Sequence, residues 1–429
     1  MKKIWITAVV LAALVSLSGG AAEAGSLKGQ TKKTEGPVIA QKADRPSKVS
    51  VSSRKKANKK EADTSSIRKT AGAPVIEIGL LSGQKEVKIQ CLSDTVITAN
   101  GKKWQTVKKG QTVATRLSGK QITVNGKKTS GTVLMKGTSD GAAFGVKGNT
   151  YRGDMKLILS AYSSGMTVVN AVSMEEYLYG VLPYEVSPSW HADALRAQAV
   201  AARTYAVYHK DGYRTAGYDV TDDTRSQVYK GTASESPATN RAVADTAGEI
   251  LTYGGKAIDA VFHASGGGYT ENAENVWGSQ TPYLKGVPEE SSPMVNQAWT
   301  KTITITELQN AAGVGAIKKI ELSKLKKGPM KTKDRGISGR VKTLTIQGKK
   351  GKKTLTGSQV QDLFGLSSTL FDIDVKGKKV LIKGYGAGHG LGLSQWGAEA
   401  MAEKHGDGKD YYKKILLHYF QGTKIEKAY

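Results

Sequence analysis

Glu185 stands in the string Leu182-Pro183-Tyr184-Glu185-Val186-Ser187-Pro188-Ser189-Trp190, a carboxyl between two prolines with apolar and aromatic neighbours. A carboxyl in such company is partly desolvated, and desolvation raises its pKa by disfavouring the anion. A raised pKa is what a general acid at neutral pH requires. The bland alternative, a surface or capping glutamate, describes most glutamates. A second candidate is His389, inside Gly384–Gly392, where glycine recurs at every second position. That run has neither the Gly-x-Gly-x-x-Gly spacing nor the Gly-Lys-Ser/Thr of a phosphate loop. Dense glycine instead lets backbone approach a ligand closely, and leaves His389 as the side chain able to do chemistry. A structural histidine is the alternative.

These residues need elements to hold them. Ser173-Met174-Glu175-Glu176 fits a capping box at a helix start. The short helix through Tyr177-Leu178-Tyr179 is expected to end before Pro183, which leaves Glu185 in a loop. A longer helix is predicted from about Asp193 to His209, with Leu195, Ala199, Ala202 and Ala206 on one closely packed face. Two more helices are expected within 395–420, split at Gly406-Asp407-Gly408.

Elsewhere the pattern is of strands. Residues 75–79, 87–90, 95–97 and 121–124 fit strands, and Asn100-Gly101 and Asn125-Gly126 are hairpin signals. They suggest a small antiparallel β unit over 74–134. Strands follow at 156–159 and 167–169, and again within 249–305 and 315–383. Strands in runs, not alternating with helices, argue an α+β fold that is rich in strand. Cys91, the single cysteine, excludes an intramolecular disulfide and reads as a small core residue.

The N-terminus bears on location. Lys2 and Lys3 precede an apolar run from Ile4 to Leu17, followed by Ala22-Glu23-Ala24. That is the pattern of a secretory signal peptide over 1–24, since 14 apolar residues fall short of the roughly 20 a spanning helix needs. Residues 25–73 carry 13 Lys/Arg against 4 Asp/Glu and little apolar periodicity, a basic linker unable to offset its ordering entropy. The whole chain of 429 residues has a net charge of +26, which points to a polyanionic partner. Export removes nucleic acid from that class and leaves anionic lipid and anionic cell-wall polymers.

The string Met174–Trp190, followed by Ala194–Ala206, resembles the core motif of the SpoIID/LytB family of exported bacterial cell-wall proteins. The likeness continues in order through Val220–Gly231, His263–Asn272 with Val276-Trp277, Ser338-Gly339-Arg340, Gly365–Thr369 and Gly386–Ala398, spanning about 74–425. It implies that Glu185, in the Leu-Pro-x-Glu element, is the catalytic acid/base of a lytic transglycosylase acting on peptidoglycan glycan strands. It also implies a substrate-binding set of Gln198, Arg203, Tyr205, Gln227, Tyr229, Ser265, His389 and Gln395. For Arg203 two readings stand open: it holds the Glu185 anion or a sugar substituent, or it makes a salt bridge on the helix. Strand packing is the alternative for Gln227 and Tyr229.

Some relatives carry a His-Ser-Thr-Cys-Gly-Gly-His-Thr element associated with metal. Here Gly266 stands at the cysteine position and Tyr269 at that of the second histidine. One imidazole does not make a zinc site, so neither metal nor other cofactor is expected. Gln361 stands where relatives often carry arginine. The absence of an obvious second carboxylate beside Glu185 fits a transglycosylase, in which the sugar's own hydroxyl replaces an activated water. A wall-binding enhancer of a cell-wall amidase and a hydrolysing muramidase are the rival expectations.

Overall fold

The computed structural model describes residues 72–326 and 328–429; the expected signal peptide and nearly all of the expected linker lie outside them. Within them the fold is α+β and strand-rich.

Strict alternation builds the first layer: in Glu86–Cys91 every second residue is buried. Asn100, Gly101, Asn125 and Gly126 adopt φ of 51°, 75°, 45° and 88°, the left-handed backbone of tight hairpin turns. They join Thr95–Ala99 to Lys102–Val107 and Gln121–Val124 to Lys127–Thr129. The 74–134 stretch is nonetheless not a self-contained unit. Val75–Gln84 pairs antiparallel with Met166–Ser173, and Val133–Gly137 with Asp154–Leu159. Hairpin chemistry is local and visible in sequence, whereas these long-range pairings carry no local mark. The result is a seven-stranded and a six-stranded sheet sharing one core that includes Ile78, Ile89, Cys91, Phe144 and Val168.

Two helices follow directly: α1, Met174–Glu185, and α2, Ala192–His209. α2 is buried on two sides. Leu195, Ala199, Ala202 and Ala206 face the first core, while Ala194, Ala197, Val200 and Ala201 join a second, built with the helices Gln395–His405 and Tyr411–Tyr419. Small side chains on both faces let the helix serve as the seam between the two cores. A third core lies within 303–382, between two three-stranded sheets and the helices Ile305–Ala312 and Gly357–Phe364.

Candidate functional site

α1 runs further than its sequence suggests. Ser173 caps it by accepting from Glu176 N at 3.3 Å, while its hydroxyl donates to the Glu176 carboxylate at 2.7 Å. Pro183 lies inside the helix, and Val186 N closes the last turn on Leu182 O at 3.0 Å. Glu185 is therefore the last helical residue and not a loop residue. A proline removes one helical hydrogen bond, and full burial of Tyr177, Leu178, Val181 and Leu182 carries the helix past it. Gly180 lets α1 sit this deep, because a Cβ there would lie 2.6 Å from the Tyr229 ring and 2.7 Å from Gly231 O.

Opposite Glu185, a two-residue parallel bridge joins Phe262–His263 to Leu393–Ser394. Ser394 Oγ then caps the next helix, accepting from Gly397 N at 3.2 Å. That places Gln395, its first residue, where its side chain hydrogen-bonds the Glu185 carboxyl. Trp190 and Trp396 lock the same junction, with ring centroids 4.7 Å apart. Burial raises the Glu185 pKa from 4.5 to about 7, against the smaller lowering by Gln395. Part of the residue's surface stays accessible, although its carboxyl is densely surrounded; the enclosure governs its ionisation and the opening its access to a ligand. Among the described residues no carboxylate contributes to this shift. An acid half protonated near neutrality, without a partner carboxylate, is the chemistry the recess offers.

The other sequence-predicted residues divide sharply. Tyr205 stands by Glu185: burial, then Asp259, Tyr213 and the Glu185 charge, push its hydroxyl pKa up. Its ring packs 4.1 Å from His209 and 6.3 Å from Phe262, and His209 pairs with Asp259 at 2.8 Å. Gln198, two turns earlier on α2, is buried with neither amide atom hydrogen-bonded. Arg203 belongs to the interior. All of its donors are used: Nε and Nη2 on Glu175 at 2.9 and 2.6 Å, Nη2 also on Val243 O, and Nη1 on Thr246 Oγ1 and Glu249 O. It is neither on the helix surface nor free to hold the Glu185 anion. Gln227 bridges Tyr177 and Ala202 O, and Tyr229 donates to Asn170 Oδ1 at 2.9 Å; both are packed inside.

Ser265 is buried beside the glycine-rich run, its backbone paired with Ala387 and its hydroxyl accepting from Gly267 N. His389 lines a separate cavity of about 280 Å³ with Trp277, Arg340, Lys342, Gln361 and Asp362. Its Nδ1 accepts from Leu391 N and its Nε2 therefore donates to Phe262 O. Both nitrogens are occupied, and burial together with Arg340 lowers its pKa to about 4. It shapes the cavity as a neutral ring and is not the free acid–base group its setting suggested. His263 is buried and neutral as well, with Nδ1 on Leu391 O at 3.0 Å. Among the described residues no three His, Cys, Asp or Glu side chains are grouped to hold a metal, and Gly266 and Tyr269 supply no ligand beside His263.

Sequence reasoning missed Glu399. It lies one turn after Gln395, accepts from His191 N at 3.0 Å, and burial raises its pKa to about 7. It tethers the start of α2 just beyond Glu185. A glutamate four residues along a helix reads as solvated, and only the contact between helices reveals it.

Comparison with known proteins bears on the same segments. The family described as "Stage II sporulation protein" matches residues 162–253, and "Domain of unknown function (DUF8618)" matches 294–392. Stage II sporulation protein D of Bacillus subtilis (strain 168) is 35% identical, over 63% of this chain and 79% of its own. An uncharacterized protein of Brachyspira hyodysenteriae is 36% identical, over 67% of this chain and 75% of its own. An amidase enhancer of Bacillus subtilis is 32% identical over 58% of this chain, but over only 40% of its own.

Proposed function

Because the chain belongs to the stage II sporulation protein D family, we propose that its cell-wall role is that of an exported lytic transglycosylase, cleaving the MurNAc–GlcNAc bond of peptidoglycan. The observation that carries this reading is Glu185, accessible yet raised to about 7 by burial, with Gln395 as its hydrogen-bond partner and, among the described residues, no second carboxylate contributing to the shift.

The protonated carboxyl donates its proton to the oxygen linking MurNAc C1 to GlcNAc, and the C1–O bond breaks through an oxocarbenium-like transition state. The resulting carboxylate, held by Gln395, takes the proton of the MurNAc C6 hydroxyl. O6 then bonds to C1, giving a 1,6-anhydro end and returning Glu185 to its acid form. No water is consumed, so a single carboxyl suffices. The attacking hydroxyl belongs to the same sugar, which supplies the proximity that an activated water would otherwise need.

The likeness to an amidase enhancer favours a second reading, in which the protein binds wall and stimulates an amidase without cutting glycan. Mass spectrometry of purified peptidoglycan, incubated with the protein alone, separates the two. Anhydro ends with wild type and none with Glu185→Gln are expected. New reducing ends would mean a muramidase, and no new ends from the wild type would sink cleavage altogether.

A further inference from the structure

The first core has an exposed rim whose charges are unbalanced. From Thr95 to Ser139 the chain carries nine Lys or Arg and no Asp or Glu. Two hairpins within it share the tip sequence Asn-Gly-Lys-Lys, at 100–103 and at 125–128. Their second strands, Lys102–Val107 and Lys127–Thr129, are edges of the seven-stranded and the six-stranded sheet. The fold clamps these two edges together. Lys127 Nζ donates to Trp104 O at 3.1 Å, and Asn100 Nδ2 donates to Thr129 Oγ1 at 3.3 Å. Asn100 N donates to Thr132 O at 3.2 Å, and Gly131 lies so close that a Cβ there would stand 1.7 Å from Asn100 Oδ1.

Lys102, Lys103, Lys127 and Lys128 therefore share one rim, and all four are exposed. Glu86 and Asp94, from the preceding segment, are taken by Arg116 and Lys108. Among the described residues no carboxylate pairs with the four rim lysines. A lysine on an edge strand deters pairing with another sheet, which accounts for one per edge and not for four in a rim without a carboxylate. The third core shows a balanced arrangement. Its hairpin from Thr343–Gly348 to Gly351–Thr356 also gathers four lysines at the turn, but Glu321 on the adjacent strand pairs with Lys319 and Lys352. Like charges held side by side repel. A polyanion relieves that repulsion and gains from the counterions it releases.

The rim lies far from Glu185. In the seven-stranded sheet Lys102–Val107 is one edge and Val220–Thr221 the other, six spacings or roughly 29 Å apart along the sheet. Asp222, directly after that far edge, and Glu185 both act on the Tyr177 hydroxyl, which puts the recess at the opposite end. We propose that the clamped hairpin tips are a docking site for a phosphodiester-linked wall polymer of the poly(glycerol phosphate) kind, its phosphates spread over Lys102, Lys103, Lys127 and Lys128. A lipid surface suits the rim less well. Interfacial binding joins charge to an inserted apolar face, and no large exposed apolar side chain lies between 95 and 139; Trp104 packs against the core. Nucleic acid is set aside by the export expected from the N-terminus. Docked in this way, the protein is held on the wall with its recess free for glycan.

Fluorescence anisotropy of an end-labelled poly(glycerol phosphate) decamer, titrated with the full chain, tests this with two variants of equal charge. One combines Lys102→Gln, Lys103→Gln, Lys127→Gln and Lys128→Gln. The other combines Lys349→Gln, Lys350→Gln, Lys352→Gln and Lys353→Gln. All eight positions are exposed, where substitutions leave folding largely undisturbed. The first variant is expected to bind at least about fivefold more weakly than wild type, and the second within about twofold. The slope of log affinity against log salt should shrink by about 2–3 in the first variant, at about 0.7 for each phosphate contact on a flexible chain. Equal losses from the two variants would reduce the effect to net charge and overturn the proposal, as would a loss below twofold from the first. Phosphatidylglycerol vesicles that bind the wild type with equal affinity per phosphate, and lose it on the same four substitutions, would assign the rim to lipid instead. Decamer binding needs no turnover, so a protein that leaves no anhydro ends would refute cleavage and leave this site standing. Unchanged binding by the first variant would refute the site and leave cleavage.

Discussion

Two glutamates mark the ends of α1, and their surroundings differ in supply. Glu175, in the first turn, accepts from Arg203 Nε and Nη2, from Gly248 N and from the Tyr429 hydroxyl. Glu185, in the last turn, has the Gln395 side chain, and burial lifts its pKa to about 7. A carboxylate surrounded by donors is a fixed anion and a structural tie. One that is enclosed but sparsely hydrogen-bonded is poised to hold and release a proton. The helix thus carries an anchor at one end and, on the proposed function, the reactive group at the other.

Exchanging the two ends by mutation separates these roles. Glu185→Gln keeps the shape and removes the proton, so glycan cleavage should fall by about 10²–10⁴-fold, the usual worth of a general acid, with the folded structure intact. Glu175→Gln should leave the rate per folded molecule within about twofold. Release of anhydro-muropeptides from purified wall measures both. Comparable losses at the two positions would mean that the contrast along α1 is not functional.

The anchor should register in stability. Arg203 is fully buried with every donor satisfied, so Arg203→Ala strands the Glu175 charge and several carbonyls. Breaking a buried pair from one side costs about 3–5 kcal/mol. The chemical-denaturation midpoint should drop accordingly, and a drop of under about 1 kcal/mol would show that the pair is not an anchor.

At the reactive end the sign is opposite, because burial there penalises the charge. The Glu185 pKa is raised on folding from 4.5 to about 7. Below 4.5 both states carry the proton and the group is neutral in its effect. Between 4.5 and 7 only the folded state keeps it, so stability is lost as pH rises, and the loss is complete above 7. Glu185→Gln removes that loss. Relative to wild type it should gain on the order of 2–3 kcal/mol between pH 4.5 and pH 8, a range discounted for the residue's partial exposure. Glu399, also raised to about 7, is present in both proteins and cancels. Parallel pH–stability curves would contradict the burial of Glu185.

The two ends of α1 were not equally legible in sequence. Glu185 announced itself through its apolar neighbours, because desolvation is partly a local property. Its place in a helix did not, since a proline rule is a preference that a buried face overrides. Arg203 was ambiguous for a related reason: the i, i+4 pattern of α2 identifies one packed face, but not that both faces are buried, so an arginine between them read equally as reaching the site or as a salt bridge on the helix surface. Glu175, the partner that settles its role, lies 28 residues away. Gln395 and Glu399 meet α1 and α2 from the far end of the chain, and their contacts depend on the bridge between Phe262–His263 and Leu393–Ser394. The strands and hairpin turns of the first core were readable because alternation and Asn-Gly turns are local; their assembly into shared sheets was not.

The finest distinction between the two ends lies in a single hydrogen bond. Gln395 lowers the Glu185 pKa by stabilising the anion, in opposition to burial. Gln395→Leu keeps the bulk of this buried side chain and withdraws the donor, so the carboxyl should hold its proton to still higher pH. For a general acid the alkaline limb of the rate profile then moves upward, by about 0.5–1 pH unit for one lost hydrogen bond. Above that limb the variant would be protonated more often than wild type. Below it the rate should fall, because a carboxyl whose anion is less supported gives up its proton to the glycosidic oxygen less readily. A limb that stays in place with a lower rate throughout would assign Gln395 to the substrate rather than to Glu185. A limb that moves down would mean that Gln395 had been stabilising the acid, reversing the polarity of the contact on which the whole contrast with Glu175 depends.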